Sequence, residues 1–146
     1  MSREYPDHPR VGVGAVVLHG DRVLLVKRGC PPALGKWSLP GGLVHLGETT
    51  RDAVVREVAE ECGLAITVAD VAGVVDRVTR DSDGRVKYHY VLVDYLAYPE
   101  STRLESGSDA AEARWVEIDQ VAQLDTTEGL VEMIRRAQAL KRATRA

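Results

Sequence analysis

Three glutamates lie close together within one short stretch of the chain. Glu57, Glu60 and Glu61 have spacings that place them on one side of an α-helix. Like charges at such spacings cost a helix a few tenths of a kcal/mol per pair. A hard divalent cation, Mg²⁺ or Mn²⁺, offsets that repulsion because it takes carboxylate oxygens as ligands and keeps coordination positions for substrate phosphates. Taken alone, however, three glutamates are more typical of a solvated helix face than of a metal site.

The helix that carries these glutamates has clear boundary signals. Thr49 is a good N-cap with Asp52 three residues on, and Gly63 stands where a left-handed C-cap falls. These signals predict a helix of about thirteen residues. The side opposite the glutamates is predicted to be buried and consists of Val55, Val58, Ala59 and Cys62.

The stretch 42–64 resembles the Nudix box, G-x5-E-x7-R-E-U-x-E-E-x-G-U with U aliphatic. The chain matches it at every fixed position, which are Gly42, Glu48, Arg56, Glu57, Val58, Glu60, Glu61, Gly63 and Leu64. The segment 37–42, Trp-Ser-Leu-Pro-Gly-Gly, is similar to the sequence that leads into the box in this family. A capped helix in the right place supplies the context that the motif needs. By this resemblance the chain is identified as a member of the Nudix hydrolases.

The resemblance implies a metal-dependent hydrolysis of a bridging diphosphate, because bound divalent metals neutralise phosphoryl charge and generate a nucleophile at neutral pH. It implies that Arg56 pairs with a box glutamate and holds it in position, and that Glu48 orients or completes the metal sphere. The metal ligands it implies are the carbonyl of Gly41 and the carboxylates of Glu57, Glu60 and Glu61.

The general base is less sharply defined by the motif. Some relatives use a box glutamate, and others use an acid from a loop in the second half of the chain. Asp109 and Glu112, with Glu105 in the same loop, are the candidates of the second kind. One of them is also a candidate ligand for a further metal ion. Taken singly, each is more typical of an ordinary acid on a solvated loop than of a catalytic residue.

Substrate-binding candidates lie outside the box. Lys27 and Arg28 follow a predicted strand at a place where the family often has a basic residue against substrate phosphate. Surface ion pairing is an equal alternative for either one. Tyr88 and Tyr90 are predicted to stack on or hydrogen-bond a base or ribose, with cross-strand packing as the alternative. Asp94 either has a structural partner or faces the site.

Strand patterns surround the box helix on both sides. Predicted strands cover residues 11–18, 23–26, 65–79, 86–98 and 112–118, and a final helix runs from Thr126 or Thr127 to about Arg142. The predicted fold class is α/β, a Nudix α/β/α sandwich with a mixed β-sheet between helices. The 146 residues are predicted to form one domain, with residues 1–10 as a poorly ordered lead-in.

Net charge and hydrophobic pattern indicate which partners and which cellular location are expected. A net charge of −3 provides no basic field, so nucleic acid is not expected as a partner. The chain has no apolar run of 18 residues and no hydrophobic signal region, which predicts a cytoplasmic protein without membrane contact. Because many relatives dimerise, the resemblance also leaves a homodimer open.

The residues outside the box set the substrate. A small-molecule nucleotide is expected, and we favour ADP-ribose or another nucleotide sugar, cleaved to a nucleoside monophosphate and a sugar phosphate. The proline found beyond the box in many ADP-ribose pyrophosphatases is absent from residues 78–81, Val-Thr-Arg-Asp. A MutT-like hydrolysis of an (oxidised) nucleoside triphosphate to a monophosphate and pyrophosphate is the close alternative. A non-catalytic nucleotide-sensing module is disfavoured because every box acid is present.

Overall fold

A computed structural model describes residues 3–105 and 110–145 of the chain. The elements follow the order β1, β2, β3, β4, α1, β5, β6, β7, α2, with a 3₁₀ turn between β7 and α2. Their bounds are β1 Arg10–His19, β2 Arg22–Arg28, β3 Trp37–Ser38, β4 Gly41–Leu43, α1 Thr50–Cys62, β5 Ile66–Arg80, β6 Val86–Pro99, β7 Ala110–Glu117, the turn Ile118–Gln123 and α2 Leu130–Arg145.

The strands form one mixed sheet in the order β3-β2-β1-β6-β5, with β4 paired to β1 and β7 paired to β2. Strands β1 and β2 form a hairpin, but only the two residue pairs next to its turn are hydrogen-bonded neighbours. Most of β1 instead runs parallel to β6, from Arg10 beside Tyr90 to Val17 beside Ala97. The short strand β4 lies along the other side of β1, where Gly14 faces Gly41. The central strand therefore positions the loop that leads into α1.

Each face of the sheet is covered by one helix. Alternate residues of β1, such as Val13 and Ala15, pack with Val54 and Val58 of α1. The intervening residues, such as Val16, pack on the opposite face in the cluster that contains Leu130, Met133, Ile134 and Ala137 of α2. The α/β/α sandwich predicted from the sequence is confirmed, although α2 begins at Leu130 rather than at Thr126 or Thr127.

Helix α1 has the predicted caps. The Thr49 hydroxyl accepts a hydrogen bond from the Asp52 N–H at 3.1 Å, and Gly63 ends the helix at φ 63°. The predicted buried face is partly wrong, because Val55 and Ala59 are exposed. The core side consists instead of Ala53, Val54, Val58 and Cys62, together with Glu61.

The burial of Glu61 corrects the prediction of a single acidic face. Its neighbour Glu60 stays exposed, while Glu57 lies between the two environments. Burial also raises the pKa of the Cys62 thiol to about 12, in keeping with an inert core cysteine. The three carboxylates of the helix therefore differ in exposure, from Glu60 in solvent to Glu61 buried against the sheet, and do not form one exposed cluster.

The second half of the sheet is a long hairpin. The predicted strand at residues 65–79 forms the single strand β5, and register shifts beside Val68, Val71 and Thr79 absorb its irregularity. Residues 3–9, predicted as a lead-in, contact the turn of this hairpin. There the Tyr5 N–H donates to the Lys87 carbonyl at 2.8 Å, and the Tyr5 hydroxyl donates to Asp81 at 2.9 Å. Within the described part of the chain, no helix is both long and apolar enough to cross a membrane.

Candidate active site

Arg56 is the centre of an ion-pair network on α1. Its Nε and Nη2 atoms donate to the two carboxylate oxygens of Glu48 at 2.7 and 2.9 Å. Its Nη1 atom donates to Glu57 at 2.8 Å and to Glu60 at 3.2 Å, and its Nη2 atom also reaches the Leu43 carbonyl at 3.0 Å. The planar guanidinium suits this fork geometry, which an ammonium group cannot reproduce. One arginine therefore joins three of the predicted site acids.

The network shifts the protonation equilibria of its members. Hydrogen bonds from Arg56, and then the His45 backbone N–H, lower the pKa of Glu48 to about 2. The Glu48 partner in turn raises the pKa of Arg56 above its usual range. Glu48 is thus an ionised carboxylate at neutral pH, and Arg56 remains a cation.

The paired glycines before the box let two carboxylates approach the backbone. The Gly41 N–H donates to Glu61 Oε1 at 2.8 Å. A side chain at Gly42 would overlap the carboxylate of Glu57. Glycine is needed here because of this close approach, without any unusual φ. The arrangement brings Glu57, Glu61 and the backbone of strand β4 to a common wall.

The donor atoms at this wall fit a hard divalent cation. Carboxylates of Glu57 and Glu61 and the backbone of Gly41 are oxygen donors of the kind that Mg²⁺ and Mn²⁺ take. In residues 3–105 and 110–145, no three acidic, histidine or cysteine side chains converge into a metal cluster by themselves. Glu60 is about half exposed and directed at Arg56. Arg56 binds Glu57 and Glu60, two of the carboxylates that the family resemblance implies as metal ligands, and the ligand set itself stays a prediction.

A cavity of about 550 Å³ opens beside this wall. Glu57 and Glu61 line it together with the glycines of β4. The predicted phosphate-binding residues Lys27 and Arg28 line it as well, although the Arg28 Nε atom donates to the Pro32 carbonyl at 2.6 Å. Other cationic side chains on its lining are Arg3, Lys36 and Arg77. A chain with a net negative charge thus gathers several cations around one cavity, which suits a polyanionic ligand.

The floor of the cavity is formed by β1 and β6. Gly12 and Gly14 contribute no side chains, so Leu92 and Asp94 of the neighbouring strand line the space. Burial raises the pKa of Asp94 to about 6, while the charge of Arg77 opposes that change. Tyr90 lies on the same floor, and its buried hydroxyl has no hydrogen-bond partner among the described residues.

Several predicted residues lie away from this cavity. Glu112 of β7 is about half exposed, pairs with Arg114 at 2.9 Å and is not part of the lining. Tyr88 is also outside the lining, where its ring stacks on Tyr90 and its hydroxyl donates to Glu4 at 3.1 Å. Glu105 contacts the end of α1, where its N–H donates to the Cys62 carbonyl. Asp109 lies outside the described residues, so its role stays a prediction.

Sequence reasoning missed part of the lining. The sequence pattern places Arg77 only in a strand, and residues 127–129 only at the start of a helix, yet both reach the cavity. The Arg77 Nη2 atom donates to the Glu128 carbonyl at 2.8 Å and so joins β5 to the segment before α2. For Asp94, where both a structural and a site position were open, the structure places the side chain on the cavity floor. The alternation of Gly12 and Gly14 was the available signal, since it leaves one face of β1 bare.

Comparison with known proteins gives the same picture. A family model described as NUDIX domain matches residues 8–137. An ADP-ribose pyrophosphatase of Methanocaldococcus jannaschii is 36% identical over 80% of this chain and 67% of its own length. A putative 8-oxo-dGTP diphosphatase 2 of Mycobacterium tuberculosis is 49% identical over 49% of this chain, and the match spans only half of that relative. A crystal structure of a MutT NUDIX hydrolase from Burkholderia pseudomallei superposes with a TM-score of 0.77 at 32% identity, covering 89% of this chain and 98% of the other.

A mixed sheet between two helices, with acidic residues on α1, defines the architecture as an α/β/α sandwich. Because the family model covers most of its length, the chain belongs to the NUDIX family and is a Nudix hydrolase.

Proposed function

We propose that this Nudix hydrolase cleaves the diphosphate bond of a nucleoside diphosphate linked to another group. The observation that carries the proposal is the composition of the cavity: carboxylates of Glu57 and Glu61 on one wall and the cations Lys27 and Arg28 around the same space. This combination suits a substrate whose phosphates interact with both a metal ion and basic side chains.

The chemistry requires a divalent cation, which the carbonyl of Gly41 and the carboxylates of Glu57, Glu60 and Glu61 would hold. When bound, it supplies charge neutralisation on the phosphoryl oxygens and a more acidic water. In the hydrolysis, the water oxygen forms a bond to phosphorus, the bridging P–O bond breaks, and the leaving phosphate keeps the electron pair. A base takes the proton of the water, and the candidates remain a box glutamate, Asp109 and Glu112.

The residues of the chain itself have separate tasks in this proposal. Arg56 holds Glu48 and Glu57 in fixed positions through hydrogen bonds of 2.7 to 2.9 Å. Lys27 and Arg28 bind phosphate oxygens, and the ring of Tyr90 contacts the nucleoside. Tyr88 does not touch the substrate but stacks on the ring of Tyr90 and so supports its position.

ADP-ribose or another nucleotide sugar is the substrate that we favour. The archaeal relative with this activity in its name aligns over most of the present chain. A cavity of about 550 Å³ is within the size range of small-molecule sites, which run from about 300 to 1,000 Å³. The products are then AMP and ribose 5-phosphate.

An (oxidised) nucleoside triphosphate is the second candidate, giving a monophosphate and pyrophosphate. It is supported by the 49% identity to the putative mycobacterial 8-oxo-dGTP diphosphatase, although that alignment covers only 49% of this chain. In both cases the partner is a small nucleotide, and the net charge of −3 gives no support for binding nucleic acid.

A substrate panel tests the proposal. Purified protein with Mg²⁺ is assayed with ADP-ribose, other nucleotide sugars, dinucleoside polyphosphates and 8-oxo-dGTP, and products are separated by chromatography. The expected result is the highest kcat/KM for a nucleotide sugar, with a monophosphate and a sugar phosphate as products. A preference for 8-oxo-dGTP with release of pyrophosphate would favour the second candidate. Tight nucleotide binding without turnover of any substrate would overturn both in favour of a sensing module.

A further inference from the structure

Asp94 is a buried acid for which the fold provides no partner. Its residue is about nine-tenths buried, at 9% exposure, and it is one of the residues that line the cavity. Among the described residues its carboxyl group has the charge of Arg77 nearby but no hydrogen-bond partner, and its oxygens are open to the cavity rather than fully enclosed. A buried carboxyl without a partner costs free energy, and native structures rarely leave such a group unpaired. A ligand in the cavity is therefore the natural source of its hydrogen bond.

The backbone around Asp94 is arranged to keep this carboxyl next to the cavity. Asp94 faces Gly14 in the parallel register of β1 and β6, and a side chain at Gly14 would overlap its Oδ1 atom. Gly14 is in turn paired with Gly41, whose N–H binds Glu61. Asp94 thus lies two strands across the sheet from Gly41, about 10 Å at the usual strand spacing, which is within the span of one nucleotide.

Asp94 shares the cavity with several apolar side chains. Leu39, Val75, Leu92 and Met133 line the same cavity. The charged group that acts on Asp94 from the neighbouring strand is Arg77, whose guanidinium already donates to the Glu128 carbonyl. A carboxylate acceptor beside Gly14 and the apolar side chain of Leu92 suits a flat aromatic ring that carries an N–H donor, since a sugar would need several polar partners.

We propose that Asp94 is a specificity-determining residue that accepts a hydrogen bond from the exocyclic amino group of the substrate's adenine base. The base then lies on the floor formed by Gly12, Gly14 and Leu92. This inference rests on the proposed function, which supplies the adenosine diphosphate part of the ligand. Above a pH of about 6 the carboxyl of Asp94 is mostly ionised and is an acceptor only, which supports this pairing.

The test combines a change in the protein with a change in the ligand. Wild-type protein and the Asp94→Ala variant are each assayed with ADP-ribose and with its analogue in which purine, without the amino group, replaces adenine. A hydrogen bond to a charged group predicts that the wild type prefers ADP-ribose about tenfold to hundredfold in kcat/KM, mainly through KM. For Asp94→Ala the kcat/KM values of the two compounds should differ by less than about threefold. Asp94→Asn should recover part of the preference, because its amide oxygen still accepts a hydrogen bond.

Two controls keep the result interpretable. Asp76→Ala removes an exposed acid from the neighbouring strand and should leave the preference unchanged. Equilibrium titration of wild type and Asp94→Asn with AMP and with purine riboside monophosphate measures the same discrimination without turnover. It also covers the case in which Asp94→Ala does not fold.

The outcomes separate the inference from the proposed function. If the wild type hydrolyses ADP-ribose but does not distinguish it from the purine analogue, the assignment of Asp94 is overturned. Equal losses for both compounds in the variants overturn it as well. If ADP-ribose is not hydrolysed, the proposed substrate is wrong, and the titrations then test the role of Asp94. A preference of the wild type for AMP that Asp94→Asn weakens supports that role. Equal binding of the two monophosphates by the wild type overturns it.

Discussion

Arg56 donates hydrogen bonds to both carboxylate oxygens of Glu48, from Nε at 2.7 Å and from Nη2 at 2.9 Å. The two residues are eight positions apart, one on the loop before α1 and the other on the second turn of the helix. The same guanidinium binds Glu57 at 2.8 Å. The arginine therefore couples the position of the loop to the position of a carboxylate on the cavity wall.

Replacing this arginine by lysine tests whether fork geometry, rather than charge, is required. The Arg56→Lys variant should keep its fold but lose about 10- to 100-fold in Mg²⁺-dependent activity, because an ammonium cannot hold Glu48 and Glu57 together. Steady-state assays over a range of Mg²⁺ concentrations measure the loss. Arg136→Lys, in an exposed pair with Glu132 at 3.7 Å, is the matched control. Activity equal to that of the wild type in Arg56→Lys would show that a positive charge alone suffices.

The lowered pKa of Glu48 predicts an acid-sensitive contribution to stability. The folded-state pKa of about 2 lies below the ordinary glutamate value near ~4.3, so the stabilisation is complete above that ordinary value and is lost as the pH falls toward 2. Urea unfolding of wild type and Glu48→Gln at a series of pH values should therefore give curves that converge on acidification. A gap between the two proteins that stays constant from about pH 6 to pH 2.5 would contradict the Arg56 interaction as its cause.

The raised pKa of Asp94 predicts the opposite dependence of folding stability on pH. Its folded-state pKa of about 6 exceeds the ordinary aspartate value near ~3.9, so stability is complete below the ordinary value and declines as the pH rises through 6. A difference of this size between the folded and unfolded pKa values corresponds to about 2–3 kcal/mol of unfolding free energy. Without ligand, Asp94→Asn should be more stable than wild type by that order near neutral pH, and the difference should vanish near pH 4. Chemical denaturation at both pH values checks this, and a less stable Asp94→Asn at neutral pH would mean that the carboxylate has a partner.

Tyr90 provides a test of a buried hydroxyl. Because this group has no hydrogen-bond partner among the described residues, Tyr90→Phe should keep the free energy of unfolding or raise it by about 1 kcal/mol. The ring that lines the cavity is retained, so KM should change by less than about twofold. Tyr88→Phe, which loses the hydrogen bond to Glu4, is the comparison and should be the less stable of the two. A clear rise in KM for Tyr90→Phe would instead assign the hydroxyl to the substrate.

The sequence was most informative where local chemistry decides the structure. Thr49 and Gly63 marked the ends of α1 because caps satisfy backbone groups within a few residues. The pairing of Arg56 with box glutamates followed from the family resemblance, and the contacts agree with it.

The sequence was less informative where distant strands decide the environment. Glu61 is buried because β4 folds against α1 and offers the Gly41 N–H, a contact between residues twenty positions apart. The side that Asp94 faces depends on the parallel register of β6 with β1, which strand patterns alone do not determine. The predicted burial of Val55 is wrong because a helical period fits more than one stripe, and only the packing against the sheet selects between them.

The most direct test of the central claim is the Mg²⁺ dependence of ADP-ribose hydrolysis by wild type and Glu57→Gln, with Glu132→Gln on the exposed side of α2 as control. Removing one carboxylate that lines the cavity, while keeping its size, should lower kcat/KM at least about 100-fold and raise the Mg²⁺ concentration for half-maximal activity. The wild type and the control should both lose activity with EDTA and regain it with Mg²⁺. Undiminished, EDTA-resistant turnover by Glu57→Gln would contradict a metal-dependent site on α1.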